Sequence, residues 1–109
     1  MSLYCQLSLN VAARVEAELV DVLQHYSTWV SGYTAVHAAG YGQHDQLYSP
    51  IERVRGAANR RVIQLICALE HVPLILQALQ QQFAQADVFY WTTPVLEAGH
   101  LQQFVGAST

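Results

Sequence analysis

The apolar residues of this chain switch period in an order that restricts its fold more than any single motif does. Leu3, Cys5, Leu7, Leu9 and Val11 alternate with Tyr4, Gln6, Ser8 and Asn10, the period of two that sets one face of a strand in a core. Ala12, Val15, Leu19, Val22, Leu23 and Tyr26 then recur three and four residues apart, which lines them up along one side of a helix, with Asn10 placed to cap it. After Ser31-Gly32 the alternation returns from Tyr33 to Ala39, with Thr34, Val36 and Ala38 on one side and Tyr33, Ala35 and His37 on the other. The cycle then repeats. Arg61 to Leu69 reads as a strand apolar on both faces, and Val72, Ile75, Leu76, Leu79 and Phe83 form the buried stripe of a helix whose first turn accepts Pro73. Val88 to Thr93 reads as a last strand, which Pro94 limits to a sheet edge or a strand end.

The order βαββαβ predicts an α+β fold: a ferredoxin-like sandwich with a four-stranded antiparallel sheet and two helices on one face. With 109 residues the chain fits one domain, residues 1–109. Such a fold leaves the second sheet face bare. Hydrophobic residues make up 52% of the chain and charged residues 12%, a composition that suits a surface partly covered by further copies.

The formal charge of −3 and the absence of any Lys argue against nucleic-acid binding, which needs many phosphate-neutralising cations on one face. Cys5 and Cys67 lie far apart without the C-x-x-C spacing of zinc or redox sites, so two buried thiols in a reducing compartment are expected. No cationic segment followed by an apolar run opens the chain, and no apolar stretch reaches the roughly 20 residues of a membrane span. These features predict a cytoplasmic protein.

Between Gly40 and Arg61 the regular rhythm stops. Four of the five cationic residues, Arg53, Arg55, Arg60 and Arg61, fall there with Gly40, Gly42 and His44. A connection of this length without secondary structure is usually a binding loop or a disordered segment. Gly40-Tyr41-Gly42 can take backbone conformations that form an anion-binding nest, and arginine binds phosphates and carboxylates through two parallel hydrogen bonds. Adjacent strand residues point to opposite faces, so at most one of Arg60 and Arg61 meets a given ligand. Glu52, Arg53 and Arg55 also fit a short solvated helical turn begun by Ser49-Pro50, and Asp45 and Glu52 read as solvated loop acids. His37 and His44 are the candidate metal contacts, for a divalent or copper ion, if the loop or a second subunit brings them together. His25 and His71 sit at predicted helix ends, where capping and dipole roles explain them.

Catalysis has little support. Cys5 and Cys67 sit on the predicted core faces of strands, where thiols are usually inert packing groups, and no paired carboxylates suggest acid–base work. Tyr90 and Trp91 are adjacent on a strand, cannot stack on one ligand, and read as core or interface residues.

Gly40-Tyr41-Gly42-Gln43-His44, Val54-Arg55-Gly56, Arg60-Arg61-Val62 and the run Tyr90 to Gly99, in this order of elements, resemble the PII signal-transduction superfamily. They are closest to a PII-like family often encoded beside heavy-metal efflux pumps. The resemblance extends from about Cys5 to Gln102. It implies a bacterial, non-enzymatic regulatory homotrimer that senses a small molecule or a metal ion and acts on a partner, such as a membrane metal exporter, through the 40–61 loop. Gly40, Gly42, Arg55, Arg60 and Arg61 become the ligand- or partner-binding candidates. Nucleotide-binding members carry a glycine- and lysine-containing turn before the last strand and basic residues after it. Here Gln82 to Asp87 runs straight into that strand and no cationic residue follows Arg61, which makes ATP a doubtful ligand. A nitrogen-regulatory nucleotide-binding protein and a small-ligand enzyme of ferredoxin-like fold are the alternatives.

Overall fold

The computed structural model describes residues 3–41, 47 and 49–106. Four strands and three helices follow in the order β1 Tyr4–Ala12, α1 Glu16–Gln24, β2 Thr34–Gly40, α2 Pro50–Arg55, β3 Ala58–Ala68, α3 Val72–Phe83 and β4 Phe89–Val95. The strands form one sheet in the order β2-β3-β1-β4, and every neighbouring pair is antiparallel. The expected α+β sandwich is therefore the observed one.

The alternation in β1 sets the core. Cys5, Leu7, Leu9 and Val11 lie opposite Cys67, Leu65, Ile63 and Arg61 of β3, on the face that α1 and α3 cover. Leu19, Val22 and Leu23 of α1 and Val72, Ile75 and Leu79 of α3 complete this cluster. Burying each such side chain is worth about 1.5–3 kcal/mol, which pins the register, because a slip of one residue would turn the whole apolar set outward. On the other face Ser8 is fully buried although polar, lying between Trp91 and Gln64 in register, and Gln6 Nε2 donates to its Oγ at 3.3 Å. Around it Tyr4, Val36, Ile66, Phe89 and Trp91 remain exposed, with the Phe89 and Trp91 rings 6.1 Å apart between centroids. Among the described residues no helix covers this face.

Several element boundaries differ from the sequence expectation. Asn10 does not cap α1: it lies inside β1, a short 3₁₀ turn Ala13–Val15 precedes the helix, and the Asn10 carboxamide oxygen accepts a hydrogen bond from Arg60 Nε at 2.8 Å. The irregular stretch contains α2, which is the helical turn expected after Ser49-Pro50, but β3 begins at Ala58, so Arg60 and Arg61 lie within a strand and not at its entrance. Pairing to β2 and β1 overrides the weak strand pattern of Asn59-Arg60 there. His25 ends α1 as expected of a cap, its Nδ1 lying 2.7 Å from the Asp21 carbonyl oxygen. Within the chain Tyr90 and Trp91 are exposed edge-strand residues and not core. No helix among the described residues is long and apolar enough to cross a membrane.

Candidate functional site

Among the described residues the last rung joining β2 to β3 is Gly40 opposite Ala58, and residues 41–57 connect the two strands in sequence. Its second half has a definite shape with a local cause. Ser49-Pro50-Ile51-Glu52 forms a capping box: the Glu52 N–H donates to Ser49 Oγ at 3.1 Å, and the Ser49 N–H donates to Glu52 Oε1 at 3.0 Å. Pro50, with no N–H to satisfy, sits in the first turn, and Gly56 closes α2 in a left-handed conformation with φ 70°.

Glu52 is buried, contrary to the solvated loop acid the sequence suggested, because its carboxylate has a second duty. Its Oε2 accepts the backbone N–H of Asn59 in β3, while its carbonyl accepts from Gly56 at 2.8 Å and Ala57 at 3.3 Å. One side chain thus caps α2 and fastens it to the sheet. Ser49, Glu52 and Asn59 line a hollow of about 250 Å³ together with Ala12, Ala13 and Arg14.

The arginines fall into two groups. Arg60, 5% exposed, donates from Nε to Asn10 Oδ1, from Nη2 to the Asn10 carbonyl at 3.0 Å and the Asp87 carbonyl at 3.3 Å, and pairs with the Asp87 carboxylate at 3.8 Å. Arg61 points to the helix-covered face, where Nη1 donates to Asn59 Oδ1 at 2.9 Å and the Arg60 carbonyl at 3.1 Å. Glu16 Oε1 lies 3.4 Å from Arg61 Nε, near enough for charge attraction but off the line of a hydrogen bond, so that buried N–H has no acceptor among the described residues. Both arginines therefore tie strands to their surroundings. Arg53 and Arg55, in contrast, are exposed in the last turn of α2.

Of the other candidates, Gly40 is half-buried at the end of β2, and His37 is exposed on β2 opposite Arg61. Gly42 and His44 lie outside the described residues, so the structure does not address the pairing of His37 with His44. Among the described residues no group of three or more His, Cys, Asp or Glu could hold a metal ion. The structural roles of Glu52, Asn59, Asn10 and Asp87 were missed from sequence. Only Glu52 carried a signal, as the fourth residue of the Ser49-x-x-Glu52 capping pattern.

The sheet order, the two covering helices and a long β2–β3 connection define a PII-like fold. Solved structures agree. A protein of Shewanella baltica OS155 superposes with a TM-score of 0.75 at 19% identity, over 93% of this chain and 99% of that one. CPII, a nitrogen regulatory PII-like protein from Thiomonas intermedia K12 bound to ADP, AMP and bicarbonate, gives 0.68 at 19% identity, over 93% and 98%. A protein of Thermus thermophilus classed with PII-like signaling proteins gives 0.61 at 22% identity, over 87% and 90%. The family described as "protein of unknown function (DUF3240)" matches residues 1–102, and the chain belongs to it; the Shewanella protein is a member as well. No curated protein matches the chain.

Proposed function

We propose that this chain is a non-enzymatic, cytoplasmic PII-like signalling protein that assembles as a homotrimer and reports a bound ligand to a partner protein through the 40–61 connection. The observation that carries this reading is the Glu52 anchorage. It fixes the second half of the connection to the sheet while leaving Arg53 and Arg55 facing solvent, where a partner's carboxylates or a ligand's phosphates can reach them. A connection anchored to the sheet at its α2 end suits a switch between ordered states. The uncovered sheet face, with Tyr4, Val36, Ile66, Phe89 and Trp91 exposed, supports packing of sheets between copies.

Two ligand classes fit. A divalent or copper ion would use His37 and His44, and would agree with a transporter partner such as a heavy-metal efflux pump. An adenine nucleotide is favoured by the ADP and AMP bound in CPII. Calorimetric titration with copper, zinc, nickel, ATP, ADP and AMP separates them. Metal heat that disappears in His44→Ala supports the first; nucleotide heat insensitive to that change supports the second. Absence of heat with every compound, with cleavage of the connection by protease unaltered by any of them, would sink ligand sensing altogether. A solution mass of three chains supports the assembly.

A further inference from the structure

The Ser49–Glu52 capping box, Pro50 in the first turn, the Glu52 carboxylate on Asn59 and Gly56 at the far end together hold the six residues of α2 in a helix. The face they hold outward packs on nothing in the core. Ile51 is 63% exposed and Val54 88%, and neither belongs to the hydrophobic cluster. Three residues apart on a helix, they are neighbours on one face, and Arg55 adjoins Ile51 on the next turn. Arg53, also exposed, lies to the other side of Val54. Ile and Val are weaker helix formers than Ala or Leu, and a short helix that shows both to water gains no stability from them. Their side chains are stiff at χ1, so this pair loses little freedom when something covers it.

The charges on α2 complete the chemistry of this face. The chain carries a formal charge of −3, yet both exposed charges of α2 are positive, because its one acid, Glu52, is buried and engaged by backbone N–H groups. We infer that the outer face of α2 is a preformed docking knob for a partner protein. The complementary surface is an apolar groove that takes Ile51 and Val54, with carboxylates on its rim that pair with Arg53 and Arg55. This inference rests on the 40–61 connection being the signalling segment and names the chemistry of the surface it meets. The apolar pair distinguishes a protein from a phosphate as what the arginines meet. A phosphate would engage the guanidinium groups and leave Ile51 and Val54 in water, whereas a protein groove covers both. A second copy matches less well, because the groove of about 470 Å³ between α3 and β4 is lined by no acidic residue. A lipid surface matches less well too: helices that lie in a bilayer interface bury a broad apolar face, and α2 offers Ile51 and Val54 alone.

Photo-cross-linking from the full chain in its native cells tests the contact, with benzoylphenylalanine at position 54 and, as control, at exposed Glu18 of α1. The expected result is a protein linked at 54 and not at 18, through a peptide that carries apolar residues beside Asp or Glu. Once purified, that protein should bind about tenfold or more weakly to Ile51→Ser with Val54→Ser. Its affinity should also fall with Arg53→Gln plus Arg55→Gln, and with salt raised from about 50 to 300 mM. Both double variants keep Ser49, Glu52 and Gly56, and an unchanged circular dichroism spectrum verifies the fold. A partner whose affinity is the same for the apolar double variant overturns the knob, and the signalling role of the connection stands. No protein linked at 54 overturns it as well; if benzoylphenylalanine at exposed Tyr41 also captures none, the signalling role falls with it. Adducts at 54 to a second copy, or binding to phosphatidylglycerol vesicles that the apolar double variant abolishes, would put a subunit contact or a lipid surface in place of the partner groove and overturn the proposal.

Discussion

The carboxylate of Glu52 accepts the backbone N–H of Asn59, seven residues further along the chain, and so couples a short helix to the strand that follows it. The same carboxylate accepts the Ser49 N–H. Glu52→Ala removes both acceptors at once and leaves two partly buried donors to find water. Hydrogen bonds to an ionised group contribute about 1.5–3 kcal/mol each, and α2 itself is too short to persist without tertiary support. The expected loss is on the order of 2 kcal/mol in urea unfolding, with faster proteolysis confined to residues 41–57. A loss below about 0.5 kcal/mol, the range of an ordinary surface substitution, would show that the anchorage is incidental.

Arg60 and Arg55 should separate cleanly in mutagenesis. Arg60 holds Asn10 of β1 and the Asp87 turn before β4, and its removal leaves the partly buried Asn10 acceptors without their donor. Arg60→Ala should cost about 2–4 kcal/mol, whereas Arg55→Ala, at an exposed position of α2, should stay within about 0.5 kcal/mol. Binding of a partner should respond in the reverse order once stability is matched. An Arg55→Ala variant as unstable as Arg60→Ala would contradict this division.

Much of the fold was legible because period and position agree: the alternation in Cys5 to Val11 and the stripe in Val72 to Phe83 are the buried faces seen in β1 and α3, while Leu3, which precedes β1, is exposed. The site was less legible, for a physical reason. Arg60 and Arg61 look alike in sequence to Arg53 and Arg55, and only long-range pairing, Val11 opposite Arg61 and Ala12 opposite Arg60, decides that the former are structural. Asn10 misled for the same reason: a residue with a good helix-capping side chain was claimed instead by an arginine 50 positions away.

Gly56 ends α2 with φ 70°, and open space surrounds the position where a side chain would sit. The effect of Gly56→Ala is therefore conformational strain alone, about 1–2 kcal/mol for a non-glycine residue in the left-handed region. Gly56→Asn should recover part of that loss, because Asn tolerates this region better. Equal stability of all three chains in thermal unfolding would mean that the turn rearranges at no cost.

Cys5 and Cys67 face each other across the two central strands, both buried and unlinked. Burial first, and then the neighbouring Cys5 by charge and by hydrogen bonding, pushes the Cys67 thiol up from 9.0 to about 12. Below about pH 9 the thiol is protonated in folded and unfolded chains alike, so its contribution to stability is constant. Between about pH 9 and 12 the unfolded chain releases the proton while the folded chain keeps it, which favours unfolding. Stability should accordingly fall with rising pH across that window, and the urea midpoint of Cys67→Ala should fall less steeply even though that variant starts lower from lost packing. The same shift leaves about 10³-fold less thiolate than an unfolded cysteine has near neutrality, so an aromatic disulfide reagent should react with Cys67 only after unfolding. Parallel pH slopes for the wild-type and Cys67→Ala chains, or prompt labelling of the native chain, would show that the thiol ionises more readily than its buried position dictates.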